Sequence, residues 1–222
     1  MCSISGIIFA VLHMELSEVE GKRVLEVGAL DVNGSLRPIL HRLHPAEYIG
    51  VDLVPGRGVD QICRVEDLEK TFGKDSFDLV VATELLEHVC DWPQAVSNLK
   101  RVCKPGGIIL ITTRAPGFRY HGYPDDYWRY DVDDIRHIFS DFYLMRLESD
   151  PDAPGVFFKG KKPLDFHENN LSEYPLFSIL LNKKATKLSD HELKRLSRRL
   201  YRKNILRRKI LHAVMKALYL GG

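Results

Sequence analysis

Val24-Leu25-Glu26-Val27-Gly28-Ala29-Leu30-Asp31-Val32-Asn33-Gly34-Ser35 joins a buried-strand pattern to a glycine turn and a helix start. Val24, Leu25 and Val27 make the short apolar run of a parallel strand covered on both faces, and Gly28 ends it where the backbone must turn. Beyond the turn, Asn33 or Ser35 can cap a helix, Pro38 suits its first turn, and Leu36, Ile39, Leu40 and Leu43 supply its apolar stripe. Free N–H groups converging at such a turn predict a cradle for an anionic or strongly polar ligand.

The next apolar run, Tyr48-Ile49-Gly50-Val51, closes on Asp52, 24 positions after Gly28. Nucleotide folds place a carboxylate for ribose hydroxyls at about that spacing. The glycine code of a dinucleotide turn is broken by Leu30 and Val32, which disfavours a nicotinamide cofactor. An acid two residues before the turn glycine, Glu26 before Gly28, resembles instead the first motif of the class I S-adenosylmethionine-dependent methyltransferases. The resemblance continues through Asp52, Asp78-Leu79-Val80-Val81-Ala82-Thr83-Glu84-Leu85-Leu86-Glu87-His88-Val89 and Leu99-Lys100-Arg101-Val102-Cys103-Lys104-Pro105-Gly106-Gly107, over about residues 20–160.

That resemblance implies a doubly wound, mostly parallel seven-stranded Rossmann-like sheet with a reversed last strand, S-adenosylmethionine as cofactor, and methyl transfer as the reaction. It assigns Glu26, Gly28 and Ala29 to the methionine moiety and Asp52 to the ribose diol. Adenine belongs at the end of the third strand, where members commonly carry an aspartate and this chain has Arg64, so Val65 or Glu66 would supply the contacts. Thr83 and Glu84 fall at the carboxyl end of a fourth strand, outside which open α/β sheets bind ligands. His88 lies four residues after Glu84, on the same face if the segment is helical, and is either a base or a group that orders the site.

Further strands are expected at 59–63, 78–83 and 108–112, with a terminal hairpin from 142–147 and 155–158. Asp91-Trp92-Pro93 starts a helix that Pro105-Gly106-Gly107 stops, and Asp131 caps another. Between them runs Phe118-Arg119-Tyr120-His121-Gly122-Tyr123-Pro124-Asp125-Asp126-Tyr127-Trp128-Arg129-Tyr130, over the expected site. Tyr123, Asp126, Tyr127 and Trp128 are candidates for the acceptor pocket, and His121, Asp125 or Asp126 for taking the acceptor's proton. The alternative is a loop whose rings pack on the sheet and whose acids cap the next helix.

The hydrophobic fraction of 45% suffices for a core. Cys2, Cys63, Cys90 and Cys103 show no paired metal-ligand spacing, so no metal is expected, and reduced thiols in a cytoplasm are the default. The apolar residues 4–14 are too short for a membrane span and read as a helix covering the sheet edge.

Charge is unevenly spread. From Lys183 onward the chain holds 13 Lys and Arg against Asp190 and Glu192, a formal +11, while the preceding residues carry 19 basic against 28 acidic groups, or −9. Three segments follow: a catalytic body over 1–162, an irregular linker over 163–188, and a basic amphipathic helical extension over 189–220, opened by the capping pattern Ser189-Asp190-His191-Glu192. A small-molecule, sugar or lipid-linked acceptor is expected. The tail would meet an anionic membrane surface, leaving the enzyme peripheral there, or pack on the acidic body, with nucleic acid less favoured. An RNA methyltransferase and a non-catalytic binding or scaffold protein are the other readings of the whole chain.

Overall fold

In the computed structural model, residues 3–122 and 125–189 are described, together with Leu193 and Ile205. In chain order the elements are α1 (Ile4–His13), β1 (Arg23–Val27), α2 (Arg37–His41), β2 (Glu47–Asp52), β3 (Gln61–Ile62), α3 (Leu68–Phe72), β4 (Phe77–Thr83), α4 (Trp92–Val102) and β5 (Cys103–Arg114). There follow β6 (Trp128–Arg129), α5 (Val132–Ile138), β7 (Tyr143–Ser149), β8 (Gly155–Lys161), β9 (Leu176–Ser178) and β10 (Lys183–Ala185).

Seven strands form one sheet in the order β3-β2-β1-β4-β5-β8-β7. The first five pair in parallel, and β8 runs antiparallel to both β5 and β7. This is the doubly wound sheet with a reversed last strand. Because the chain steps one way from β1 and the other way from β4, the carboxyl ends of these two strands part into a crevice.

Both sheet faces are covered, so the inner strands are apolar throughout rather than alternating. On one face Leu25, Val80, Ala82 and Ile111 pack with Val96 and Leu99 of α4 and Ile135 of α5. On the other, Val24, Leu79, Val81 and Phe157 pack with Phe9 of α1, with Leu36 just before α2 and with Leu40 of α2. The apolar N-terminal helix therefore covers a sheet face, not the edge, because Phe9 and Ala10 both turn inward onto that layer.

Three local expectations change. The helix after the first turn starts only at Arg37, with Leu36 at the N-cap position; Ser35 still caps it through its hydroxyl, which accepts the Arg37 N–H at 3.0 Å, whereas Asn33 falls in a turn over 31–34 that the Asp31 side chain closes by accepting the Gly34 N–H at 3.1 Å. Pro105-Gly106-Gly107 lies inside β5, and the pairing register with β4 shifts between Phe77 and Leu79 to admit it. The stretch 163–188 is not an irregular linker: β9 and β10 pair, and β9 adds to β6 in a second sheet, order β10-β9-β6, with Leu171 and Leu176 buried in the main core. The helical extension over 189–220 lies outside the described residues, apart from Leu193, whose N–H donates to the Ser189 carbonyl at 3.0 Å, and Ile205. Among the described residues no helix is long and apolar enough to cross a membrane.

Candidate active site

At the carboxyl ends of β1, β2 and β4 lies a cavity of about 540 Å³, a size suited to a nucleotide-like ligand. Its wall includes Gly28, Asp52, Val65, Glu66, Glu84 and His88 from the first half of the chain, and Asp125 and Tyr127 from the second. Ala29, Thr83, His121, Asp126 and Trp128 do not form that wall, and Tyr123 lies outside the described residues.

The turn after β1 is not the open cradle its sequence promised. The Gly28 and Ala29 N–H groups both donate to the Val51 carbonyl, at 2.9 and 3.0 Å, and the Asp31 N–H donates to the Arg57 carbonyl at 2.9 Å. Gly28 holds φ 79°, the left-handed region that favours glycine. Ala29 is buried beneath Gly50, where an added Cβ would collide with the Gly58 carbonyl oxygen and crowd the Ala29 methyl. Its role is packing. Leu30 and Val32, the two departures from the glycine code, line the cavity as apolar wall.

Glu26 is also withdrawn. It sits on the β1 face that meets α1 and α2, and its Oε2 accepts the Tyr48 hydroxyl at 2.5 Å. Burial, opposed by that hydrogen bond, pushes its carboxyl above the usual carboxylate range. The alternation of β1 explains this, since Glu26 shares a face with Val24 rather than with the crevice.

Asp52 is where the spacing placed it, at the end of β2 and on the wall. Its Oδ2 accepts the Leu30 N–H at 3.1 Å and its Oδ1 the Leu53 N–H at 2.7 Å. An ionised carboxylate offers about four lone-pair sites, so two remain for a pair of hydroxyls.

Glu84 follows β4 with φ 52°, a strained conformation for a residue with a side chain. Its carboxylate accepts the Thr112 hydroxyl at 3.0 Å and pairs with Arg114. Burial and the nearby Glu87 raise its pKa, with Arg114 pulling the other way. The segment beyond it is a single 3-10 turn over Leu86–His88, so Glu84 and His88 do not share a helical face. His88 donates Nδ1–H to the Asp125 carbonyl at 2.6 Å, and its Nε2 is buried. Nδ1 is thus committed, while Nε2 has no hydrogen-bond partner and is shielded from solvent.

The 118–130 segment is fastened from beneath. Arg129 grips Asp126 through both terminal nitrogens, at 2.5 and 2.7 Å, and Asp126 also accepts His121 Nδ1–H at 2.9 Å. Burial works against a charged His121, yet Asp126 and Glu87 outweigh it and bring the imidazole to about 9, so with no other positive charge beside Glu87 it carries a proton at neutral pH rather than acting as a base. Trp128 is buried, its Nε1–H on the Cys90 carbonyl at 3.0 Å. Among the described residues, Asp125 and Tyr127 alone of the expected acceptor-side groups reach the wall, joined by a 3.1 Å hydrogen bond from the Tyr127 hydroxyl.

Sequence reasoning did not single out Leu53, Val54, Cys63 and Val89, also on the wall, nor Thr113 and Arg114 beneath it. Apolar wall residues carry no signal apart from core residues. Arg114 closes a strand that reads as buried throughout, and its charge was the one available sign.

Residues 8–147 match the family described as a methyltransferase domain. The chain belongs to that family. Its fold is that of the class I S-adenosylmethionine-dependent methyltransferases. Relatives of the methyltransferase include the phthiotriol/phenolphthiotriol dimycocerosates methyltransferase 1 of Mycobacterium ulcerans, 33% identical over 47% of this chain and 41% of that one. The ubiquinone biosynthesis O-methyltransferase of Hahella chejuensis is 31% identical over 45% of this chain and 46% of its own. The chain thus spans less than half the length of these curated relatives. Among solved structures, an S-adenosylmethionine-dependent methyltransferase from Mesorhizobium loti superposes with a TM-score of 0.56 at 17% identity, over 72% of this chain and 99% of that one, a likeness of fold.

The methyltransferase's own residues suit the family's cofactor. Asp52 keeps two spare acceptors on the wall at the end of β2. Leu30, Leu53 and Val65 offer an apolar slot next to it, and Glu84 and Gly28 close the end towards β4.

Proposed function

We propose that this protein transfers the methyl group of S-adenosylmethionine to a small-molecule or lipid-linked acceptor. The observation that carries the reading is the cavity at the switch point of the sheet, with the Asp52 carboxylate fixed by two backbone N–H groups on its wall. Bound there, S-adenosylmethionine supplies a methyl carbon already activated by its sulfonium. The protein's task is then alignment and exclusion of water. Asp52 accepts the ribose hydroxyls, and Leu30, Val32 and Leu53 keep that side dry. Asp125 and Tyr127 face the acceptor, and Asp125 is the group placed to take its proton, with the Tyr127 hydroxyl holding the carboxylate in position. His121 acts behind them as a positioning group through Asp126. The relatives named for a phthiotriol dimycocerosate and for ubiquinone biosynthesis support a lipid-linked or quinone-like acceptor over a large polar one.

The tail supports a place for the reaction. Its formal +11 and the apolar stripes of Leu193, Leu196 and Leu200 and of Leu206, Ile210 and Val214 suit a peripheral site on an anionic membrane. Vesicles containing anionic lipid should pull the protein down at low salt and release it as salt rises. Preference for RNA over such vesicles would reverse that assignment.

The test of the reaction is transfer of tritiated methyl from S-adenosylmethionine to a cellular lipid extract, to RNA, or to neither. Label in the organic phase is expected. Label in RNA would establish the nucleic-acid reading, and no label with a folded, cofactor-binding protein would leave a binding module on a methyltransferase fold.

A further inference from the structure

Directly behind the cavity wall, three side chains turn lone pairs towards one spot. Glu87, His88 and His121 each offer one ligand atom, and these atoms all lie within 4.8 Å of one another. Glu87 Oε1 stands 4.0 Å from His88 Nε2 and 3.7 Å from His121 Nε2, too far for hydrogen bonds. Glu87 is fully buried, and its Oε1 and the His88 Nε2 are both buried polar atoms without a hydrogen-bond partner. Two orphaned acceptors side by side in the interior are costly unless something positive lies between them.

The atoms behind these three tell what that is. His88 Nδ1 is tied to the Asp125 carbonyl at 2.6 Å and His121 Nδ1 to the Asp126 carboxylate at 2.9 Å. A carbonyl and a carboxylate can only accept, so each ring carries its proton on Nδ1, and each Nε2 can present its lone pair inward. Glu87 Oε2 is occupied by the Thr113 hydroxyl at 2.9 Å, which leaves Oε1 for the centre. Asp126 is held in turn by Arg129. Imidazoles oriented by carbonyl and carboxylate partners are the arrangement that fixes histidine as a metal ligand.

We propose that Glu87, His88 and His121 bind a first-row divalent transition cation at the acceptor side of the cavity. Two nitrogens and one carboxylate oxygen suit zinc, cobalt or iron(II), whereas magnesium and calcium favour oxygen donors. A cation bonded at about 2.0–2.2 Å spaces its donors about 3.3–3.6 Å apart, so the separations of 4.0 and 3.7 Å from Glu87 to the two histidines close by less than about an ångström. Glu84, three residues earlier, is not a ligand, since Thr112 and Arg114 hold its carboxylate. Three protein donors leave at least one coordination position, and His88 forms the cavity wall beside it. The cysteine spacing that predicted no metal carried no information about this cluster, which joins residues 33 positions apart.

The test uses the full chain, stripped with a chelator and titrated with cobalt(II), whose visible absorption reports nitrogen and oxygen ligation. One equivalent is expected to bind and to raise the melting temperature. His121→Ala removes the most exposed of the three side chains and so threatens the fold least. It should weaken cobalt by more than the roughly 10–100-fold that loss of an outer partner costs, and Glu87→Gln should do the same. His137→Ala, outside the cluster against Tyr174, should bind as the parent does. Binding of S-adenosylhomocysteine by each variant shows that it is folded. No cobalt uptake by the parent chain at millimolar concentration would overturn the proposal and leave a proton on His121 as the positive charge. Undiminished uptake by His121→Ala would overturn it equally, by placing the ion elsewhere.

Discussion

Arg129→Lys tests how the segment over the cavity is held down. All five guanidinium N–H groups are used: Nε donates to the Phe118 carbonyl at 3.3 Å, Nη1 to Asp126 Oδ1 at 2.5 Å and the Trp128 carbonyl at 2.7 Å, and Nη2 to Asp126 Oδ2 at 2.7 Å and the Arg119 carbonyl at 3.1 Å. Arginine and aspartate side chains are 1% and 0% exposed, so water cannot replace what is lost. A lysine ammonium keeps the charge but has three N–H groups on one point, and at least two of the five acceptors go unmet. Each orphan costs about 1–3 kcal/mol, and loss of one partner of a buried pair about 3–5 kcal/mol, so about 3–5 kcal/mol is expected in all. At a urea slope of about 2–3 kcal/mol per molar, the unfolding midpoint should fall by about 1–2.5 M with the slope unchanged. A fall of less than about 0.3 M would refute the claim that this guanidinium fastens the segment.

Three further outcomes follow from the same contacts. Glu26→Gln should change the affinity for S-adenosylhomocysteine by less than about tenfold in calorimetry, because Glu26 faces Tyr48 and not the cavity. Burial disfavours the Asp78 carboxylate, but Lys104 at 2.9 Å and the Arg23 N–H at 3.0 Å outweigh it and lower its pKa. Its stabilisation is therefore complete above the unfolded value of about 3.9 and lost as pH falls through the lower folded one. Urea titrations from pH 7 to pH 2 should show Asp78→Asn about 1 kcal/mol less stable at neutral pH, with the gap closing below about pH 4; a gap that persists in acid would contradict this. Gly50→Ala should cost about 1–3 kcal/mol by thermal unfolding, since its Cβ meets the Gly58 carbonyl and Ala29.

The sheet was legible because its strands announce themselves chemically. Val24, Leu25 and Val27, or Leu79 to Ala82, are apolar on both faces, and only a covered parallel strand uses such a run. Asp52 was legible through its spacing from Gly28. What was not legible depends on which way a side chain or an N–H points. Glu26 and Gly28 stand in the right places, but strand alternation turns Glu26 to Tyr48, and the Val51 carbonyl absorbs the N–H groups of Gly28 and Ala29. In the 118–130 segment, composition marked an unusual connection without dividing it. Asp125 and Tyr127 reach the cavity, whereas Asp126 and Trp128 are spent on Arg129 and Cys90. The strands β9 and β10 escaped notice because three-residue strands have no periodicity to read.

The central claim is that the crevice between β1, β2 and β4 holds S-adenosylmethionine with Asp52 on its ribose. Calorimetric titration of the demethylated product, S-adenosylhomocysteine, into ligand-free parent protein and into Asp52→Ala tests it most directly. The account predicts a single micromolar site in the parent that the substitution weakens roughly tenfold to a hundredfold, the loss of about 1.5–3 kcal/mol expected for hydrogen bonds to a charged group. No binding by the folded parent, or the same affinity in both proteins, would contradict it.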